Sequence, residues 1–409
     1  MPNSSRRTID NPAIEAAQLL ARLGIFLLFV ISQLAPIVVR QTAYILLPVG
    51  AALLLASAGL TPQAYKSRPL RDLLLSSPVI AALLLVAWTG LSLFWTPFGD
   101  GPGERFAKSS ATLALVAIAC GYLPARTKTS NLNLLPIGAG VAALTLVGAA
   151  IYTRPTGQTV EDILDVGPFA RAGLGLALLV WPAMGALAVR DRIMFAGALG
   201  VATAAACVLA KAPNAVPALI VGGAVLALSL NNARRVARYY AYASVVIVLL
   251  APFAALAAHF IWGGHAPALL RPLSVWGHIV ANDGARALVG HGFGSAMYGV
   301  LGGYLDPGQP RSLLFEVWFD LGIVGALALA GVSARAFVLM ARTRAALAPF
   351  LLAGLAAGLT ICIVGPAAEQ LWWFTFAGLD AIAYVLVIRG QFRKRRPRVP
   401  VTAPLEPAV

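Results

Sequence analysis

The chain has 409 residues, of which 59% are hydrophobic and 11% are charged, and its mean hydropathy is +0.81. An average soluble domain has about half apolar and about a quarter charged residues, so this composition excludes an ordinary soluble protein. The net charge of +15 is high enough to raise the question of nucleic-acid binding. The composition itself predicts an all-α, polytopic membrane protein.

Apolar stretches of membrane-spanning length recur along the whole chain. A bilayer core of roughly 30 Å requires about 20 helical residues per crossing, and no strand-like alternation competes with this pattern. The N-terminal residues lack a short apolar core followed by a small-residue cleavage site, so we expect the first stretch to be a retained span. We predict about twelve spans, at residues 20–39, 42–60, 76–95, 109–124, 134–152, 168–189, 193–210, 213–230, 240–261, 312–334, 346–364 and 370–389.

The positive residues alternate between successive loops. The loops with many of them contain Arg6, Arg7, Lys66, Arg68, Arg71, Arg126, Lys128, Arg190, Arg192, Arg234, Arg235, Arg238, Arg342, Arg344 and the RKRRPR tail. Positive residues are retained on the cytoplasmic side of a membrane, so this alternation predicts that both termini are cytoplasmic. The charge therefore reflects topology and not nucleic-acid binding. We expect a multi-pass protein of the bacterial inner membrane, whose basic tail, residues 390–409, is also able to contact anionic lipid.

One long segment, residues 262–311, then faces the periplasm between spans nine and ten. It is too apolar and too aromatic for a tether, and segments of this length are often functional. We expect its LLRPLSVWGHIVA stretch to form an amphipathic helix that folds against the bilayer surface. A second outward loop, TRPTGQTVEDILDVGPFAR, carries Glu161, Asp162 and Asp165, and their spacing favours a solvated surface over a calcium site.

The stretch PRSLLFEVWFDLGIVGA, residues 310–326, places charges at the start of a span. Glu316 and Asp320 are four residues apart and share one helical face, with Arg311 one turn before Glu316. Acidic groups near the membrane are costly unless they face water or a cation. The pattern indicates either a structural ion pair or a polar cavity that opens outward, and we favour the cavity.

This stretch resembles the signature of the O-antigen ligase and polymerase superfamily, which includes exopolysaccharide polymerases. The signature has the form P-H-N-x-x-L-Q-x-W-x-E-L-G-x-x-G and follows the large periplasmic loop. In this chain Glu316 stands at the Gln, Trp318 at the Trp and Asp320 at the Glu, and Gly322 and Gly325 stand at the two glycines. Three further blocks are similar to elements of the family, namely RPLSVW at 271–276, GHGFGS at 290–295 and FARAGLGLALLVWP at 169–182.

The chain departs from the family pattern at two places. Arg311 and Ser312 replace the His and Asn of the signature, and that His is a candidate catalytic base or pyrophosphate contact in the family. The eighth span of the family tends to begin with a Ser-Arg or Ser-Lys pair, whereas this chain has AKAPNAVPA, which displaces Lys211.

The resemblance implies an architecture of the GT-C type and a metal-independent inverting glycosyltransferase without a soluble cofactor. The donor would be a glycan on undecaprenyl pyrophosphate, the acceptor another glycan or lipid A-core, and other polysaccharide assembly proteins are possible partners. Arginine suits the developing charge of a leaving pyrophosphate, and a carboxylate or imidazole suits an incoming hydroxyl. The predicted catalytic residues are Arg311, Glu316, Asp320 and His291, and the predicted substrate-binding residues are Arg171, Lys211, Arg271, Trp276 and Arg286.

Two alternatives remain at this point. A transporter or flippase of a lipid-linked glycan would also need cationic groups in a membrane cavity. A family relative that has lost catalysis and acts as a partner in polysaccharide assembly would explain the missing His. The sequence does not distinguish ligase from polymerase.

Overall fold

A computed structural model describes residues 12–38, 42–60, 77–124, 127–153, 167–365 and 371–391. Over these residues the protein is 83% helical and contains no strands, which confirms the all-α class. The α-helices are α1 Pro12–Phe26, α2 Ser32–Val38, α3 Thr42–Leu60, α4 Ser77–Ser92, α5 Asp100–Tyr122, α6 Thr129–Leu132, α7 Leu134–Thr153, α8 Pro168–Ala188, α9 Ile193–Leu209, α10 Ala215–Trp262, α11 Arg271–Asn282, α12 Ser295–Leu301, α13 Leu313–Met340, α14 Ala348–Val364 and α15 Leu371–Ile388.

Long apolar helices support a helical membrane protein. In the described part of the chain, five helices are long and apolar enough to cross a bilayer, at Pro12–Ala35, Thr129–Thr153, Pro168–Ala188, Ala215–His265 and Leu313–Met340. Shorter apolar helices lie between them. The described residues of the predicted stretches lie mainly on helices, and two of the stretches fall on α10.

Helix α8 lies at the centre of the bundle, where its apolar window is wholly buried. Small residues let other helices approach its backbone, as is usual where apolar helices pack in lipid. A Cβ atom at Gly175 would meet Phe376 of α15 at 2.7 Å, and one at Gly173 would meet Ala212 at 2.8 Å. The second contact places the start of α8 beside the turn that contains Lys211.

Two of the long helices are interrupted. Asn232 has non-helical angles (φ −153°, ψ 83°) and divides α10 into residues 215–231 and 233–262. Gly322 has φ 64° and ψ −157° and divides α13 into a first half, residues 313–321, and a second half, residues 323–340. A positive φ is strained for residues with a Cβ atom, so the glycine of the signature motif is what permits this break.

Several basic loops meet at one end of the bundle, which we call the basic end. The contacts that join them are Arg190 to the side chain of Asn133, Arg389 to the carbonyl of Leu123, Arg344 to the carbonyl of Gly390 and Lys128 to Gln18. These loops are among those that the charge alternation assigns to one side. Residues 1–11, 61–76, 125–126 and 392–409, which carry most of the other predicted basic residues, lie outside the described part.

The opposite end, which we call the site end, is built by the α4–α5 turn and the segment between α10 and α13. Helices α5 and α15 run in the same direction, because Val116 abuts Gly378 and Leu123 meets Arg389. Both helices therefore finish at the basic end. Their first turns, and the first half of α13, lie toward the site end.

The predicted amphipathic helix is present as α11, and it packs alongside α10. The Ser274 hydroxyl donates to the carbonyl of Gly263, and Gly277 fits against Ala255. Asp283 lies beside Pro252 of α10. Between Gly263 and Pro252, α11 therefore returns along α10 for roughly 16 Å, at 1.5 Å per residue. The segment enters the bundle instead of only covering its end.

Candidate functional site

A buried ion pair joins α5 to the first half of α13. The Nη2 atom of Arg105 lies 3.5 Å from Oε2 of Glu316, and the two side chains are only 6% and 7% exposed. Removing two charges from water costs several kcal/mol each, and buried ionisable groups are rare in membrane helices. This pair is therefore the strongest indication of a functional site in the described residues.

The pair is enclosed by side chains from the segment that precedes α13. The Arg105 guanidinium lies over the ring of Phe293, 5.3 Å from its centroid, and its Nη1 atom donates to the Met297 sulfur at 3.6 Å. Its Nε atom has no hydrogen-bond partner. Gln309 is also buried, with an amide that donates to the carbonyl of Ala296 and an Oε1 atom that has no partner. Both groups retain hydrogen-bonding capacity in a dry environment.

The register of α5 explains why Arg105 is buried. Residues 102, 105, 109, 116 and 120 share one helical stripe, and all five are buried. Glu104 and Lys108 lie on the adjacent face, where they are 67% and 56% exposed. Arg105 thus occupies a position that the apolar pattern of the helix assigns to the protein interior.

Asp320 holds the glycine-rich turn, residues 290–295. Its Oδ2 atom accepts from the amide of Gly294, and its Oδ1 atom accepts from the amide of Ala296, both at 2.8 Å. These amides belong to the start of α12, where a carboxylate is favourable. Both oxygens of Asp320 accept from backbone amides, which gives this residue a part in positioning the turn.

The break at Gly322 exposes the carbonyl groups at the end of the first half of α13, and each receives a donor. The amides of His291 and Gly292 donate to the carbonyls of Phe319 and Asp320. The Trp88 indole donates to the carbonyl of Leu321 at 3.0 Å. Because orphan carbonyls are costly in an apolar bundle, these contacts stabilise the interruption.

His291 connects the same turn to α13 and to Asp283. Its ring stacks on Phe319 with 4.0 Å between centroids. Its Nδ1 atom lies 3.0 Å from the Phe319 carbonyl and its Nε2 atom lies 2.9 Å from Oδ2 of Asp283. These contacts hold the His291 ring between the end of the first half of α13 and Asp283.

A small pocket lies next to His291. Its volume is about 30 Å³, which is room for one or two water molecules and not for a sugar. The lining residues are Pro252, Trp276, Ile279, Val280, Asp283, Arg286, Ala287, His291, Trp318 and Phe319. Trp276 is buried and packs edge-on against Phe315 at 5.5 Å, which assigns it to the core of the segment.

The remaining predicted cationic residues have different surroundings. Arg171 is buried, 6% exposed, in the first turn of α8. Arg311 is partly buried and directly precedes Ser312, whose hydroxyl caps α13 by accepting from the Phe315 amide. Lys211 and Arg271 are exposed, as is Arg286 at the pocket rim. The Arg105–Glu316 contact brings opposite charges together in the interior of the site end.

Sequence reasoning included Glu316 but missed Arg105 as a site residue. The feature that could have identified Arg105 is its spacing from Ser109 and Val116, which places it on the buried face of α5. The acidic loop with Glu161, Asp162 and Asp165 lies outside the described residues.

Chemically, the site combines the Glu316 carboxylate with a guanidinium and an amide that each keep a polar atom without a hydrogen-bond partner, all in a protected position. Such groups recognise hydroxyl and phosphate oxygens. Comparison with protein-family models, with curated proteins and with solved structures found no significant match for this chain.

Proposed function

We propose that the protein is a membrane glycosyltransferase that takes a glycan from an undecaprenyl pyrophosphate carrier at the periplasmic face. The proposal includes about twelve spans in a GT-C-type architecture, with the basic end in the cytoplasm. The observation that carries it is the buried ion pair of Arg105 and Glu316 at the site end. The resemblance of residues 310–325 to the ligase and polymerase signature supports it, because Glu316 occupies the position of the signature Gln.

In the proposed reaction the acceptor hydroxyl oxygen attacks the anomeric carbon of the donor sugar. The bond from that carbon to the pyrophosphate oxygen breaks, and the carrier pyrophosphate leaves with the electron pair. The hydroxyl proton passes to a carboxylate, for which Glu316 is the candidate, and then to water. Arg105 and Arg311 are the candidates to stabilise the negative charge on the leaving group.

Asp320 and His291 serve the site indirectly in this proposal. They fix the glycine-rich turn, and the turn carries Phe293 against Arg105. Trp276 supports the same region through Phe315. The acceptor is a second lipid-linked glycan in a polymerase or lipid A-core in a ligase, and the same site would serve either.

The test is a deletion strain complemented with wild-type, Arg105→Gln or Glu316→Gln protein. We expect the wild type to restore long glycan chains and both variants to fail, with carrier-linked oligosaccharide accumulating on the periplasmic side. Loss of long chains from lipid A indicates a ligase, and single-unit products indicate a polymerase. Full activity in both variants, at normal expression, would remove the basis of the proposal.

The interruption of α13 favours a second candidate, a flippase for the same lipid-linked glycan. Transporters often have broken helices near their substrate site, and α13 breaks at Gly322, toward the site end. A flippase defect would trap the carrier-linked unit in the cytoplasmic leaflet. If the protein is instead an assembly partner without catalysis, its variants would reduce the amount of product only by disrupting the complex. In that case the purified chain alone would be inactive.

A further inference from the structure

Three aromatic rings meet at the site end beside the buried ion pair. Phe98, from the α4–α5 turn, lies 5.8 Å from Tyr298 and 6.2 Å from Tyr304, measured between ring centroids. Tyr298 belongs to α12 and Tyr304 follows it. We call these three residues the aromatic platform. Tyr304 is 81% exposed, so the platform has an open side.

The platform is continuous with the site. Tyr298 directly follows Met297, whose sulfur accepts from Arg105. The Tyr298 hydroxyl lies against Gly101 of α5, where a Cβ atom would approach it to 2.4 Å. A molecule bound on the rings would therefore lie one turn of α5 away from Arg105.

Exposed aromatic rings at the end of a membrane bundle often serve as interfacial anchors. Here the neighbouring charges indicate that the rings face water and not lipid. Glu104 and Lys108 form an exposed ion pair on α5. Lys108 is seven residues after Gly101, two turns along the same face, and so lies on the basic-end side of the platform. The hydrogen bond and the charge from Lys108 lower the pKa of Glu104, which keeps it ionised.

Exposed charges of this kind are too costly in lipid. The surface of α5 that carries Glu104 and Lys108 therefore contacts water. The platform lies farther from the basic end than this surface, so it contacts water as well. An aqueous surface with clustered aromatic rings and a flanking ion pair matches the chemistry of a pyranose. Such a sugar has an apolar C–H face for the rings and hydroxyl groups for the charged side chains.

We propose that the aromatic platform is a carbohydrate subsite that holds the glycan part of the substrate beside the Arg105–Glu316 pair. This inference rests on the proposed function and adds the place where the sugar chain binds. The rings supply stacking area, and Glu104 and Lys108 contact hydroxyl groups on the adjacent residue of the chain.

The binding test uses the full chain in lipid nanodiscs and, as the probe, the oligosaccharide released by mild acid from the carrier lipid of the deletion strain. Saturation-transfer NMR reports which sugar protons contact the protein. We expect the wild type and Tyr304→Phe to bind similarly, and Phe98→Ala and Tyr304→Ala to bind about tenfold more weakly. Tyr152→Ala is the matched control, since Tyr152 is 90% exposed at the end of α7 and should leave binding unchanged.

A nitroxide attached at Tyr304→Cys supplies a second measurement. We expect it to be relaxed by a water-soluble nickel complex and not by oxygen dissolved in lipid. Unaltered binding in both alanine variants, absence of binding by the wild type, or a label in lipid would each overturn the inference. Failure of the proposed function has a different result, namely normal product with Arg105→Gln and Glu316→Gln.

Discussion

The carboxylate of Glu316 and the guanidinium of Arg105 approach to 3.5 Å across two helices, and both side chains are more than nine-tenths buried. The contact joins the first turn of α13 to the second turn of α5, and it lies beneath the turn that Asp320 holds. A pair in such a place has a large effect on folding when only one of its charges is removed.

Replacing one partner of this pair should destabilise the protein by about 3–5 kcal/mol, because the buried charge that remains loses a contact that compensates it. We expect this for Glu316→Gln and for Arg105→Gln in detergent-solubilised protein followed by thermal unfolding. The double variant should recover part of the lost stability and none of the glycan product. If the double variant recovers product as well, the pair has a structural role only.

The break in α13 depends on Gly322. Its φ is 64°, and a Cβ atom there would meet the Gly290 amide nitrogen and the Leu288 carbonyl oxygen at 2.7 Å. Gly322→Ala should therefore cost at least about 1–3 kcal/mol in unfolding free energy. Gly331→Ala is the matched control in the same helix, where a Cβ atom has open space, and it should be neutral or stabilising by up to about 1 kcal/mol. Equal changes in unfolding free energy for Gly322→Ala and Gly331→Ala would contradict the break of α13 at Gly322.

Asp320 should behave as a structural anchor. Its two oxygens accept from the amides of Gly294 and Ala296, and hydrogen bonds to a charged group contribute about 1.5–3 kcal/mol each. In Asp320→Asn an NH₂ group replaces one carboxylate oxygen and faces a backbone N–H group, so two donors meet. We therefore expect the free energy of unfolding to fall by about 2–4 kcal/mol. Asp306→Asn is the control, because Asp306 is exposed and its carboxylate accepts from the amide of Gly308 through one oxygen, Oδ1. A stable Asp320→Asn protein without activity would instead return Asp320 to the chemistry.

The contact between His291 and Asp283 should be measurable as a coupling. Unfolding of His291→Ala, Asp283→Ala and the double variant forms a thermodynamic cycle, and residues in contact usually couple by about 0.5–3 kcal/mol. We expect a favourable coupling in that range. Additive losses would mean that the 2.9 Å contact contributes nothing to the folded state.

The proposed orientation of the bundle, with the basic end in the cytoplasm, predicts opposite labelling at its two ends. Pro307→Cys lies in the exposed segment at the site end and Arg235→Cys lies in an exposed basic segment. A membrane-impermeant maleimide applied to intact spheroplasts should label the first and spare the second. The wild type is the background control, since Cys120 and Cys207 are buried and Cys362 is partly buried. The reverse pattern would place the candidate site in the cytoplasm.

Apolar periodicity predicted the helices well, because the requirement for internal backbone hydrogen bonding leaves few options for an apolar chain. The loops with basic residues at Lys128, Arg190 and Arg344 were also grouped correctly. The interruption at Gly322 was not predicted. The sequence shows a glycine at this position, but it does not show that the glycine adopts a left-handed φ, because that conformation depends on packing against Gly290. The path of α11 along α10 was missed because amphipathicity does not say which surface covers the apolar face.

The candidate site was predicted in part. Spacing placed Glu316 and Asp320 on one helical face, but it did not reveal that Asp320 faces backbone amides and Glu316 faces a guanidinium. Arg105 escaped notice because a single arginine near a helix start is usually solvated. Its burial follows from contacts with Phe293 and Met297, which are distant in sequence.

The glycine-rich turn has a consequence for how a phosphate is bound. Turns of this composition often cradle phosphates with their free N–H groups. Here every amide from His291 to Ala296 already donates within the protein, to α13, to the Asp320 carboxylate, to Ser92 or to Gly292. A diphosphate would find no backbone donor there. At this turn, recognition of the proposed diphosphate would therefore fall to side chains, and exchanging an arginine for a lysine should change it more than any substitution in the turn that preserves the fold.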